Sequence, residues 1–438
     1  MSDLKPWLFI KSFFKNAKMA RVVLLCLLLV LTSMESFAQA VSGFGIQIKA
    51  DRITDQELAQ IAAMGFDRVR FDMPWPYVEH QKGRYDWRFY DRLIEKLEKH
   101  HLGAVIHLGV GHVFYGGLIE APPNAFGMTR VQAAPASDEA RAAFTAFARE
   151  AVKRYHNIPL IWTIWNEPDH AIFWPPAPDA KAYTSLAMQV CKVMREVRPD
   201  AFIAAPDLAF ASQGDVVADP FLNALVRHPD FSCLDGFSLH PYRDGAIRPE
   251  SVVGFYDAVR AFFAKHGLKN FPLLSTEWGY STRYASPQQQ AAYALRSYLI
   301  NKSQGVDVTI WYEWKSLGSD PDNAEDQFGF LDGRGHVKES LALVAQGLEK
   351  LKGLIILERV DVGADDVWVL RAKRASDQAP FLIFWLAREQ DDPARHLALR
   401  ENGQESFYRL TIFPWVVALK DDKAKIFLPP AAERLIER

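Results

Sequence analysis

Two short segments place a glutamate where it could do chemistry. The first is Trp165-Asn166-Glu167-Pro168, and the second is Ser275-Thr276-Glu277-Trp278-Gly279. Each closes an apolar run of strand length, Leu160–Trp165 and Pro272–Ser275, so each carboxyl sits at a strand's C-terminal end. Pro168 stops the first strand, and Asn166 can hydrogen-bond a substrate hydroxyl or the nearby carboxylate. Cleavage of a glycosidic bond needs two such carboxyls flanking it, one protonated and one ionised. The protonated group donates to the leaving oxygen; the ionised one attacks the anomeric carbon or activates water. A separation of roughly 5 Å gives retention of configuration, and roughly 6.5–9.5 Å gives inversion. Two close carboxyls also resist carrying two negative charges, so one keeps its proton near neutral pH.

Other chemistries find little support. No His-x-x-x-His or cysteine pair has ligand spacing, so no metal is expected. Gly-x-Ser-x-Gly and a phosphate-cradling loop are absent. Gly109-Val110-Gly111 lacks a third glycine at Phe114, which argues against a dinucleotide site. No cofactor is implied. The formal net charge is −2, so nothing suggests a polyanionic partner such as nucleic acid; the partner expected is a polysaccharide or oligosaccharide substrate. Of three cysteines, Cys26 lies in an N-terminal apolar run; Cys191 and Cys233 read as two buried thiols, which would pair only if the fold brings them together.

The elements that must position the glutamates alternate along the chain. Strands are expected at Phe44–Ile48, Arg68–Phe71, Ala104–Leu108, Leu160–Trp165, Ala201–Ala205, Leu234–Leu239, Pro272–Ser275 and Val308–Tyr312. An amphipathic helical stretch follows each. Eight βα units over residues 41–353 predict an α/β fold, a closed (β/α)8 TIM barrel. Strands four and seven then face one another across the barrel. Residues 354–438 are β-like and read as a small, sandwich-like antiparallel C-terminal domain. Residues 1–40 read as a secretory signal: Lys11, Lys15, Lys18 and Arg21 precede the apolar run Val22–Leu31, and Ala38-Gln39-Ala40 offers a cleavage site. If uncleaved, the segment would anchor the protein to the inner membrane. Either way the protein is expected in the periplasm or outside the cell, as a monomer.

The two glutamate motifs resemble those of clan A glycoside hydrolases, and the barrel as a whole looks most like family 39. That resemblance implies Glu167 as acid/base at strand four and Glu277 as nucleophile at strand seven. It further implies that Arg70, ending strand two, supports the nucleophile. His240-Pro241-Tyr242 would end strand six beside it, and Trp311 and Trp314 would floor the sugar site. Lys82–Trp87 is similar to the clan's segment after strand two. The family includes exported, endo-acting glycosidases of biofilm exopolysaccharide systems, which sets the expected substrate. β-Xylosidases and iduronidases of the same family, family 5 endoglycanases, a transglycosylase and a non-catalytic polysaccharide-binding protein stay open as alternatives. From position alone, His112 and Trp174 are candidate sugar contacts, Trp278 either stacks on sugar or packs behind Glu277, Asp72 and Trp75 are candidate cleft residues, and Glu313 is either a third site carboxylate or a partner of Arg70.

Overall fold

The computed structural model describes residues 43–120, 129–209, 216–243, 245 and 247–429. The expected signal segment, with Cys26, lies outside them. Among the described residues no helix is long and apolar enough to cross a membrane.

Eight parallel strands close a barrel: β1 Gly43–Gln47, β2 Arg68–Pro74, β3 Gly103–Gly109, β4 Leu160–Ile164, β5 Phe202–Leu208, β6 Gly236–Leu239, β7 Leu273–Trp278 and β8 Val306–Trp311. Each pairs with its sequence neighbour. The ring shuts where β1 meets β8, with Ile46 opposite Trp311. The strands are almost wholly buried because helices cover the outer face while side chains fill the inner one. Eight helices alternate with them: α1 Asp55–Ala63, α2 Arg88–Lys99, α3 Asp138–Arg154, α4 Ala180–Val197, α5 Pro220–Val226, α6 Val253–Lys265, α7 Pro287–Ser303 and α8 Glu339–Leu351. Side-chain caps start several of them. Thr54 and Ser286 form capping boxes with Glu57 and Gln289, and Ser137, Asp179 and Asp219 accept from first-turn amides. The long connection after β3 carries a two-stranded hairpin, Leu118–Glu120 with Arg130–Gln132.

The remaining strands form two antiparallel sheets. One holds β9 Leu354–Arg359, β10 Val367–Arg374, β11 Pro380–Leu386 and β14 Trp415–Ala418; the other holds β12 His396–Glu401, β13 Gln404–Arg409 and β15 Lys425–Phe427. Alternate residues of β10 and β11 face two cores. Val367, Val369, Leu382, Phe384 and Leu386 pack against Leu397 and Leu399 of the second sheet. Trp368, Leu370, Ile383 and Trp385 join the barrel's own core. The described residues from Gly43 onward accordingly form one compact unit.

The expectation of two buried thiols is corrected. Cys191, on α4, and Cys233, on the turn before β6, are joined by a disulfide with a Cα–Cα distance of 6.1 Å. The parallel β5–β6 pair brings the end of α4 beside that turn, a proximity that a separation of 42 residues does not disclose.

Candidate active site

Strands β4 and β7 deliver the two glutamates to one point at the barrel's C-terminal end. Carboxyl oxygens of Glu167 and Glu277 and a ring nitrogen of His240 lie within 4.8 Å of one another. The backbone is unusual here: Trp165, Glu167 and Asp207 have φ of 68°, 41° and 55°. Left-handed conformations are costly for side-chain-bearing residues and cluster where function fixes a geometry. The Glu167 amide donates to Asp207 O at 3.1 Å, which ties the turn after β4 to the end of β5.

The surroundings of the two carboxyls differ. Glu277 is clamped by cationic and hydroxyl donors. Arg70 Nη1 donates to its Oε2, and Tyr242 OH donates to its Oε1 at 2.8 Å. Burial alone would raise its pKa, but His240, Arg70 and the Tyr242 hydroxyl outweigh burial and hold it below the usual carboxylate range. Glu167 has no cation of that kind. Its Oε1 lies 2.7 Å from His240 Nδ1, and burial, reinforced by the Glu277 charge, pushes its pKa up. Opposite shifts in two neighbouring carboxyls are the signature of an acid and a nucleophile.

Arg70 organises the centre. It is fully buried and donates to Gln47 Oε1 at 3.0 Å, Asn166 Oδ1 at 2.8 Å and Asp207 Oδ2 at 3.4 Å, besides Glu277. Asn166 thereby turns its carbonyl to Arg70 and keeps its amide N–H groups for another acceptor. Asp207, which sequence reasoning missed, also accepts from Thr276 Oγ1 at 2.9 Å and lies 3.9 Å from His240 Nε2. The nearby charges of His240 and Arg70 keep it ionised against its burial. Glu167, His240 and Glu277 are the one group among the described residues that could hold a metal ion. Each already has a protein partner, and Arg70 supplies the positive charge at Glu277, so the set is arranged to move protons.

Several other expected contacts are corrected. Trp174, Trp278, Trp311 and Trp314 are fully buried and line no cleft. Trp174 packs between Trp165 and Tyr183, with ring centroids 5.2 and 5.6 Å away, and Trp311 stacks on Phe330 at 5.8 Å. Trp278 follows inward-facing Glu277 on a strand, so its ring points out toward the helices. Trp314 turns its indole N–H to Glu57 Oε1 at 3.3 Å. His112 is buried with both nitrogens engaged: one lies 2.8 Å from Glu79 O, the other accepts from the Phe114 amide. Trp75 is likewise core, donating to Glu79 Oε2 at 2.5 Å. Asp72 does reach the mouth, half exposed, 2.9 Å from His107 Nδ1. Glu313 pairs with Lys49 at 3.1 Å rather than with Arg70.

An open depression of about 660 Å³ lies on the loops after β4 and β5, lined by Asp169, Pro178, Asp179, Asp219 and Phe221 among others. Asp169 is two residues beyond Glu167, so this space borders the turn that carries Glu167.

Comparison with known families agrees with this geometry. Residues 33–317 match the family model for cellulase, glycosyl hydrolase family 5. The chain belongs to that family. It is a clan A glycoside hydrolase, and its solved neighbours share the fold. A family 39 glycoside hydrolase from the gut symbiont Bacteroides cellulosilyticus superposes with a TM-score of 0.65 at 22% identity, covering 86% of this chain and 81% of that one. A monomeric β-xylosidase from Caulobacter crescentus gives 0.58 at 16% identity, over 89% and 94%. An endo-β-1,4-glucanase from Xanthomonas axonopodis gives 0.50 at 15% identity, over 71% and 99%. No curated protein matches the chain.

Proposed function

We propose that this glycoside hydrolase is a retaining enzyme that cuts a bacterial exopolysaccharide internally, outside the cytoplasm. One observation carries the mechanism: carboxyl oxygens of Glu167 and Glu277 approach within 4.8 Å. That leaves no room for the water an inverting enzyme places between its carboxyls, and matches the roughly 5 Å of retaining ones. Protonated Glu167 donates to the glycosidic oxygen as Glu277 attacks the anomeric carbon. The C–O bond to the leaving group breaks and a glycosyl ester forms on Glu277. Glu167, now ionised, takes a proton from water, and the hydroxide displaces Glu277. Arg70 and Tyr242 hold Glu277 ionised and aimed; the amide of Asn166 is free to donate to a sugar hydroxyl.

Internal cutting is supported by the open space on the loops after β4 and β5 and by exposed Tyr77, Phe114 and Tyr284 in the connections after β2, β3 and β7. Rings at a barrel mouth offer stacking surfaces to successive sugars. Action outside the cytoplasm is supported by the basic-then-apolar N-terminus and by the Cys191–Cys233 disulfide, which persists in oxidising compartments.

The test is a panel of bacterial exopolysaccharides and plant β-glycans, treated with wild type, Glu167→Gln and Glu277→Gln. The proposal expects a ladder of oligosaccharides from an exopolysaccharide, lost in both variants. Release of single sugars from chain ends would replace internal by terminal cutting. Binding without cutting, equal in all three proteins, would leave a polysaccharide-binding protein.

A further inference from the structure

The catalytic centre leaves one buried carboxyl without use. Glu313 follows β8, and Lys49 follows the adjacent β1, so both stand at the same edge of the barrel mouth. Glu313 is 1% exposed, yet among the described residues its carboxyl oxygens have no donor besides the Lys49 ammonium. Its contact is the Lys49 ammonium 3.1 Å from Oε2. Lys49 Nζ also reaches Tyr312 OH at 3.3 Å and lies 4.8 Å from the centroid of that ring. Among the described residues nothing satisfies Glu313 Oε1. A buried carboxylate oxygen without a donor is costly and is seldom kept unless something else supplies the donor.

The pair is continuous with the nucleophile. Tyr242, whose hydroxyl holds Glu277, meets Phe328 edge-on at 6.1 Å, and Phe328 meets Tyr312 at 5.3 Å. These three rings run from Glu277 to Lys49 and Glu313. That series puts Lys49 and Glu313 on the nucleophile's side of the mouth, where a glycone ring would be held during attack. A sugar hydroxyl both donates and accepts. It can donate to Glu313 and accept from Lys49, completing both groups at once. A uronate there would set its own carboxylate against Glu313, so the pair suits an uncharged sugar.

We propose that Lys49 and Glu313 form the specificity-determining end of the glycone subsite, reading a hydroxyl remote from the anomeric carbon of an uncharged sugar. This rests on Glu277 being the nucleophile, and the test separates the two claims. Binding is measured by calorimetry on the full chain with isofagomine-type iminosugars of gluco, galacto and manno configuration. For the tightest of them, analogues lacking one hydroxyl at a time and a uronate analogue are added. Wild type, Lys49→Met, Glu313→Gln and Glu277→Gln are compared, with thermal melts to show that each is folded.

The proposal expects Glu277→Gln to lose the probes. It expects one deoxy analogue to bind wild type roughly 10- to 100-fold more weakly, the range for a charge-assisted hydrogen bond. Lys49→Met and Glu313→Gln should weaken the parent probe to a similar degree, yet leave that deoxy analogue within about threefold, because the two losses are the same interaction. The uronate analogue should be rejected by wild type. If the two variants weaken every analogue equally, or not at all, while Glu277→Gln still abolishes binding, the pair is structural and the proposal falls alone. If no probe binds wild type, or Glu277→Gln binds as wild type does, the glycosidase site itself is misassigned and both fall.

Discussion

At the scale of the residue, the proposed mechanism rests on two identical side chains held in unlike surroundings. Glu277 sits below its ordinary pKa because His240, Arg70 and Tyr242 outweigh burial, and Glu167 sits above it because burial dominates. Glu277 works ionised, so activity is lost as pH falls through its lowered value. Glu167 works protonated, so activity is lost as pH rises through its raised one. A bell-shaped kcat/KM profile follows, and a profile flat from about pH 4 to 9 would exclude the assignment. Arg70→Met strips the cation from Glu277 and Asp207 together. It should move the acidic limb upward and lower kcat/KM roughly 100-fold or more, read from the same profiles. Glu167, Glu277, Arg70, His240 and Tyr242 were legible because a charged or polar residue closing an apolar strand has few places to go but the barrel mouth. The tryptophans misled because residue type was weighed above alternation. Next to an inward Glu277, Trp278 must face outward. Asp207 went unnoticed because Pro206 reads as the end of its strand.

At the scale of the element, the site depends on how closely the strand ends approach. Gly279 follows β7, and a Cβ there would lie 2.0 Å from Tyr312 O, the carbonyl just beyond β8. Gly279→Ala must part β7 from β8, between the residues that carry Glu277 and Glu313. The cost should be about 1–3 kcal/mol of stability, with a drop in kcat exceeding any change in KM, checked by calorimetry and steady-state kinetics. The eight βα units were readable from period and turn signals alone. Their strands proved longer than expected at β2, β5 and β7, where polar and proline residues continue the pairing to the barrel mouth. In the C-terminal region the sequence shows β texture without strand bounds, because strands such as β9 and β12 are short and interrupted by charges that blur their alternation.

At the scale of the whole molecule, the β sheets are fastened to the barrel by a buried ion pair. Arg296 on α7 meets Glu250 at 2.5 Å; Trp385 on β11 donates to Glu250 Oε1 at 2.7 Å, and Arg296 Nη1 to Arg388 O at 3.0 Å. Arg296→Met leaves Glu250 buried without its cation and should cost about 3–5 kcal/mol, seen as an earlier denaturation midpoint. The disulfide bridges a separation of 42 residues, which in the chain-entropy view is worth about 4 kcal/mol. Cys191→Ser with Cys233→Ser should therefore lower the melting temperature by roughly 5 °C while sparing kcat/KM, since neither cysteine touches the site. Such long-range fastenings could not be read from the sequence. They depend on which elements the closed barrel makes neighbours.

The most direct test of the account follows the anomeric proton by NMR in the first moments of hydrolysis. Carboxyl oxygens within 4.8 Å predict that the first-formed product keeps the configuration of the bond that was cut. First appearance of the opposite anomer would mean that water attacks directly, and Glu277 would not be the nucleophile.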